Sequence, residues 1–172
     1  MQQPLEPRVC SLLETVPVGV IATQRRDGRA RQSTVYFVLD GDTVWISTEA
    51  ARAKALDVGR TGWASLCVVG PTAPYASVTV EGGASVQATD VAPMTSRILA
   101  RITGGEAPEL TEGELAAAGR VLLRLNVEAL TQLSDADELV EVAVKPNYRA
   151  LGKRFGKQTQ QVADAIRAAE VG

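Results

Sequence analysis

Tight-turn signals at short intervals constrain this chain more than any other feature. Arg26-Asp27-Gly28-Arg29 and Asp40-Gly41-Asp42 each set an Asp-Gly pair between runs rich in β-branched residues. Asp-Gly tolerates the positive backbone angles of a short hairpin turn, so residues 18–23, 31–39 and 43–47 are predicted as three consecutive antiparallel strands. In the third, Val44 and Ile46 alternate with Trp45, as on a half-buried sheet.

The remaining segments follow from periodicity and breakers. Residues 9–15 predict a short leading helix that stops before Val16-Pro17, because proline biases its predecessor toward extended backbone. Residues 50–58 predict a second helix, with Thr48 capping its first N–H groups and Gly59 and Gly62 bracketing its end. Residues 63–69 and 77–86 predict two more strands, joined by a loop with Pro71 and Pro74. Helices over 93–102 and 111–118 and a closing strand over 121–127 complete the pattern. Many short strands with tight turns and a few helices indicate a mainly β, α+β fold, a small antiparallel barrel of six strands.

Composition narrows the chemistry. The 172 residues include no histidine, which removes the commonest general base, the commonest zinc ligand and every imidazole-based triad. No catalytic side chain and no metal site stand out, so a cofactor is expected to perform any chemistry. A net charge of -2 argues against nucleic-acid binding by the main domain, which needs a clustered basic surface. Cys10 and Cys67 are isolated in apolar contexts and read as reduced packing residues. No apolar run reaches membrane-helix length and the first residues lack signal-peptide character, so a cytoplasmic protein is expected.

The segment IATQRRDGRARQSTVYFVLDGDTVWISTEAARAKALDVGR, residues 21–60, resembles the pyridoxamine 5'-phosphate oxidase-like split barrels, especially the actinobacterial branch that binds coenzyme F420. The shared order is strand, DG turn, strand, DGD turn, strand, then an ST…RAK helix. The resemblance continues through PYASVTVEGGASV and RVLLRLNVEAL and covers residues 9–130, implying a cofactor-binding domain built as a six-stranded antiparallel split β-barrel with peripheral helices, followed by a C-terminal helical appendage. It implies that Arg52 and Lys54 hold the phosphate of a deazaflavin (F420) or flavin (FMN). Ser47 and Thr48 would lie nearer that phosphate, and Gln32, Ser33 and Val35 along the ring system. Strand side chains alternate, so a slip of one residue inverts the last assignments. A helix N-terminus beside two cations is an anion site on physical grounds as well, while a solvated helix face is the plain alternative for Arg52 and Lys54. The family pattern departs at Asp57-Val58 and Thr61-Gly62, and Asp57 brings negative charge near the proposed phosphate. Arg25, Arg26 and Arg29 surround the first turn, either as a charged hairpin tip or as contacts for an acidic cofactor tail. Trp63 and Tyr75 are candidates for core, dimer interface or ring stacking.

Residues 131–172 change character. DADELVEVAVKPNYRALGKRFGKQTQQVADAI resembles the C-terminal region of isoleucyl-tRNA synthetases, in which a KPN[FY]…LG…[FL]GK segment precedes a helix. Lys145, Arg149, Lys153, Arg154 and Lys157 form a basic stretch open to tRNA contact or to solvent. Neither HIGH nor KMSKS occurs, and there is no room for a synthetase catalytic domain. The leading expectation is therefore an F420- or FMN-dependent oxidoreductase transferring hydride to a small organic substrate. The resemblance implies a homodimer with the cofactor at the interface. A non-catalytic cofactor carrier or sensor and an RNA-binding accessory acting through the tail are the alternatives.

Overall fold

A computed structural model describes residues 5–72 and 75–133. The C-terminal appendage and its basic stretch lie outside the described residues. The first helix, α1 (Pro7–Thr15), starts on a proline, whose missing N–H costs nothing in a first turn, and buries Val9 and Leu13. Strands β1 (Val18–Gln24) and β2 (Ala30–Tyr36) form the expected hairpin, closed by the Arg25 N–H to the Arg29 carbonyl at 2.9 Å. Gly28 sits at a φ of +81°, which a side chain would oppose, and the Asp27 carboxylate accepts from the Arg29 amide at 3.1 Å.

The single strand expected over 31–39 is broken at Phe37. Its N–H bonds to the Pro17 carbonyl, and its own carbonyl accepts from Arg101, so neither group joins a sheet ladder there. A short β3 (Val38–Asp40) then turns through Gly41 into β4 (Thr43–Glu49). Arg101 also donates to the carbonyls of Leu13 and Val16, and its guanidinium lies 5.0 Å from the Phe37 ring centroid. One cation thereby satisfies carbonyls left open at the end of α1 and ties them to the β2–β3 break.

Helix α2 (Ala53–Thr61) begins three residues later than expected, with Arg52 at the N-cap. Thr48 does not cap it. That residue is buried within β4 opposite Val121, and the ladder runs on to Glu49, after which the Ala50 amide bonds to the Gly119 carbonyl. Long-range pairing thus overrides the local helix propensity of the Ala-rich segment. The chain continues through β5 (Trp63–Val69), β6 (Ser77–Gln87), α3 (Val91–Thr103), α4 (Glu112–Ala117), β7 (Arg120–Asn126) and β8 (Ala129–Leu133). A Thr111/Glu114 capping box opens α4.

Among the described residues all strand pairs are antiparallel, in the order β2-β1-β5-β6-β7-β4-β3, with β8 on β6. Strand β6 is the hinge of the barrel. Residues 77–81 lie between β5 and β8, whereas residues 84–87 pair with β7. The crossing falls at Gly82-Gly83, where an added Cβ on Gly82 would stand 2.1 Å from the Asn126 carbonyl oxygen. Glycine here lets two backbones approach where the strand leaves one sheet for the other. The main core fills the space between the two halves, and a satellite of Val91, Ala92, Leu115 and Leu122 lies under α3 and α4. The expected split barrel is therefore observed, with eight strands among the described residues rather than six because of the break at Phe37 and the added β8. Among the described residues no helix is long and apolar enough to cross a membrane.

Candidate functional site

A cavity of about 610 Å³ opens where the end of β2, the end of β4, the start of α2 and the flank of α3 meet. Its two sides differ chemically. Ile98, Leu99, Ile102, Leu110 and Leu115 form an apolar wall, whereas Ser47, Thr48, Glu49, Arg52, Lys54 and Arg120 form a polar rim. The Ser47 and Thr95 hydroxyls share a hydrogen bond of 3.0 Å across the junction of β4 and α3. At the rim, Arg52 Nε lies 3.3 Å from a Glu49 carboxylate oxygen, and Arg120 is the cross-strand partner of Glu49. The first amides of α2 have no carbonyl within the helix to bond, so the positive end of its dipole adds to these cations. Burial pulls the Lys54 ammonium below the ordinary lysine range; Arg52 pushes the same way, and Glu49 opposes both.

Of the site residues expected from sequence, Val35, Ser47, Thr48, Arg52 and Lys54 all line this cavity. Gln32 and Ser33 do not. They sit further along β2 toward the hairpin tip, opposite Ala22 and Ile21, and the strand reaches the cavity through Thr34, Val35 and Tyr36 instead. Sequence reasoning missed Glu49, Thr95, Arg120 and the α3 wall. Glu49 stood beside the recognised Ser47-Thr48 pair, but Arg120 becomes its neighbour only through the β4–β7 register. Trp63 and Tyr75 are exposed and outside the cavity, and Cys10 and Cys67 are free.

Asp57 proves to belong to a different place. It lines a second cleft, of about 450 Å³, with Arg25, Arg26, Asp27, Arg31, Ala53, Leu56 and Arg60. The residue is 6% exposed, and its carboxylate accepts from Arg31 Nε at 2.8 Å and Thr23 Oγ1 at 3.2 Å, with Arg60 at 3.6 Å. It therefore neither faces the proposed phosphate nor points freely into solvent. Arg60 also donates to the Gln24 carbonyl, which fastens α2 to the β1–β2 hairpin. Burial alone would raise the Asp57 pKa, but the hydrogen bonds from Arg31 and Thr23 and the Arg31 charge outweigh it and hold the carboxyl below the ordinary aspartate value of 3.8. A depressed folded-state pKa stabilises the fold fully above the unfolded value and loses that contribution as pH falls through the folded one. Asp57→Asn is accordingly expected to destabilise the fold by about 1–3 kcal/mol at pH 7, reduced from a fully buried pair because both arginines reach solvent. In denaturant melts the gap between wild type and variant should narrow as pH drops below about 4. A gap that stays constant with pH would show that Asp57 contributes through packing alone.

The fold and the cavity together define a split-barrel domain with an apolar pocket rimmed by cations. The chain belongs to the pyridoxamine 5'-phosphate oxidase family, whose model matches residues 5–134. Among solved structures it is similar to a conserved hypothetical protein of Mycobacterium tuberculosis, with a TM-score of 0.64, 19% identity, and 74% of this chain and 83% of that one covered. An F420 reductase is similar at a TM-score of 0.60 and 22% identity, over 70% of this chain and 94% of that one. These two likenesses concern the fold. The expected similarity to isoleucyl-tRNA synthetases is borne out separately: isoleucine–tRNA ligase of Thermobifida fusca is 48% identical over 73 residues, 42% of this chain. The chain spans only 7% of that ligase's length.

Proposed function

We propose that this chain is an oxidoreductase that holds a flavin-type cofactor, F420 or FMN, in the cavity between β4 and α3. The observation that carries this reading is the cavity's division into an apolar wall and a cationic rim. A planar ring with a phosphate-bearing tail needs both, and a solvated helix face has no apolar wall opposite it. Arg52 and Lys54 would bind the phosphate, with Arg120 and the first amides of α2 adding positive charge. Ser47, Thr48 and Thr95 would offer hydroxyls to the polar part of the tail, and Ile98, Leu99 and Leu115 would exclude water from the ring. When bound, the cofactor supplies the hydride chemistry, so the protein's part is to orient and to shield. That division of labour agrees with a cavity whose single lining carboxylate among the described residues, Glu49, is already paired with Arg52.

The reading includes a homodimer. Tyr36 lines the cavity yet is 47% exposed, and Val20 and Val69 on the neighbouring strands β1 and β5 are also exposed. An apolar strip that runs into a ligand cavity is a surface a second copy would cover.

Titrating the purified full chain separately with F420 and FMN, followed by cofactor fluorescence, tests this directly. Saturable binding of one of them is expected. Folded protein, verified by circular dichroism, that binds neither up to about millimolar concentration removes the reading, since that corresponds to only about 4 kcal/mol of binding energy. Reduction of an electrophilic test substrate by the bound, reduced cofactor then separates an enzyme from a carrier.

A further inference from the structure

We propose that Glu49 tunes the headgroup this cavity accepts, lowering the affinity for a doubly charged phosphomonoester more than for a singly charged phosphodiester. The inference rests on the reading of the cavity as a cofactor site and sharpens it, because FMN ends in a monoester whereas F420 carries its phosphate as a diester.

The rim of the cavity carries charges of both signs. Arg52, Lys54 and Arg120 place three cations on the lining, and Glu49 places one anion among them. Glu49 is not peripheral to that set. Its two carboxylate oxygens face Arg52, one 3.3 Å from Nε and the other 3.4 Å from a terminal nitrogen. It stands opposite Arg120 in the β4–β7 ladder, and its charge is felt at Lys54. An anion entering between Arg52 and Lys54 therefore meets the attraction of the cations together with the repulsion of this carboxylate. Attraction and repulsion both grow in proportion to ligand charge, and the rim is net positive, so a dianion still gains; Glu49 takes from that gain twice what it takes from a monoanion at the same place. Glu49 also occupies Arg52, which must turn from it to give a phosphate two hydrogen bonds. Stability does not account for the pair, because an exposed Glu–Arg contact of this spacing contributes little.

Three ligands with one ring system isolate the effect: FMN, the methyl phosphodiester of FMN, and riboflavin, which carry about two, one and no negative charges near neutral pH. Each is titrated into wild type and Glu49→Gln, which removes the charge and keeps the side-chain size. The variant is expected to bind FMN about tenfold more tightly, the diester about threefold and riboflavin unchanged, the first factor being roughly the square of the second. The ratio of FMN affinity to diester affinity should therefore rise about threefold from wild type to Glu49→Gln. Equal gains for all three ligands, or a loss of FMN affinity in the variant, would overturn the proposal and assign Glu49 to holding Arg52 in place. F420 is titrated alongside. If wild type binds none of the four ligands, the cofactor reading itself fails; if it binds F420 while Glu49→Gln gives FMN no larger gain than the diester, only the selectivity proposal fails.

Discussion

Gly82→Ala is expected to destabilise the barrel by about 3 kcal/mol or more, the upper end of what overpacking costs. Residue 82 lies where β6 passes from pairing with β5 and β8 to pairing with β7. The added methyl would stand 2.1 Å from the Asn126 carbonyl oxygen and 3.0 Å from the Glu128 side chain and amide nitrogen. The first of these obstacles is backbone inside a ladder, so no rotamer change relieves it. Either the β6–β7 crossing opens or β8 loses its place on β6, and both outcomes surrender hydrogen bonds at the seam of the barrel. Thermal and denaturant melts of the variant should show a large loss of midpoint. Gly113→Ala is the matched control: it lies in α4 with nothing within 4 Å of an added Cβ, and should stabilise by a few tenths of a kcal/mol up to about 1. A Gly82→Ala midpoint indistinguishable from wild type would mean that the strand crossing is looser than the close approach requires.

Replacing both Arg52 and Lys54 by alanine is expected to weaken cofactor binding by about 3–6 kcal/mol, from about 1.5–3 kcal/mol for each charge-assisted hydrogen bond. In affinity this is roughly two to four orders of magnitude. The two single variants should differ. Arg52→Ala removes the partner of Glu49 as well as a phosphate ligand, leaving a bare carboxylate on the rim, whereas Lys54→Ala removes only a cation. Arg52→Ala should therefore be the more harmful to FMN binding, and its excess should shrink in a Glu49→Gln background, a coupling that a double-mutant cycle measures. Stability should change little, because Arg52 is 63% exposed and Lys54 half-buried. Unchanged cofactor affinity with an intact fold would return both residues to an ordinary solvated helix face.

The turns and the periodicity carried most of the fold without help from tertiary context. Asp27-Gly28 and Gly41 sit where the hairpins turn, at φ of +81° and +63°, and the alternation of residues 43–47 became β4. These are local signals, since positive φ and a period of two depend on the residues themselves. The ordered pattern around Arg52 and Lys54 likewise led to the cavity, and with it came Ser47, Thr48 and Val35. What failed was decided at longer range. Thr48 satisfies the local rule for a helix cap, yet the ladder with Val121 takes it into a strand and moves the cap to Arg52. Asp57 sits only three residues from Lys54, but the packing of α2 on the β1–β2 hairpin gives its carboxylate to Arg31 and Thr23 in another cleft. Gln32 and Ser33 share a strand with Val35 and still miss the cavity, because position along the strand as well as face decides what reaches it. Local chemistry in the sequence thus determined the strands, the tight turns and the presence of a cationic segment. Only the tertiary structure decided that Glu49, Arg120 and the α3 wall complete the cavity, because strand register and helix packing bring together residues whose separation along the chain carries no record of their contact.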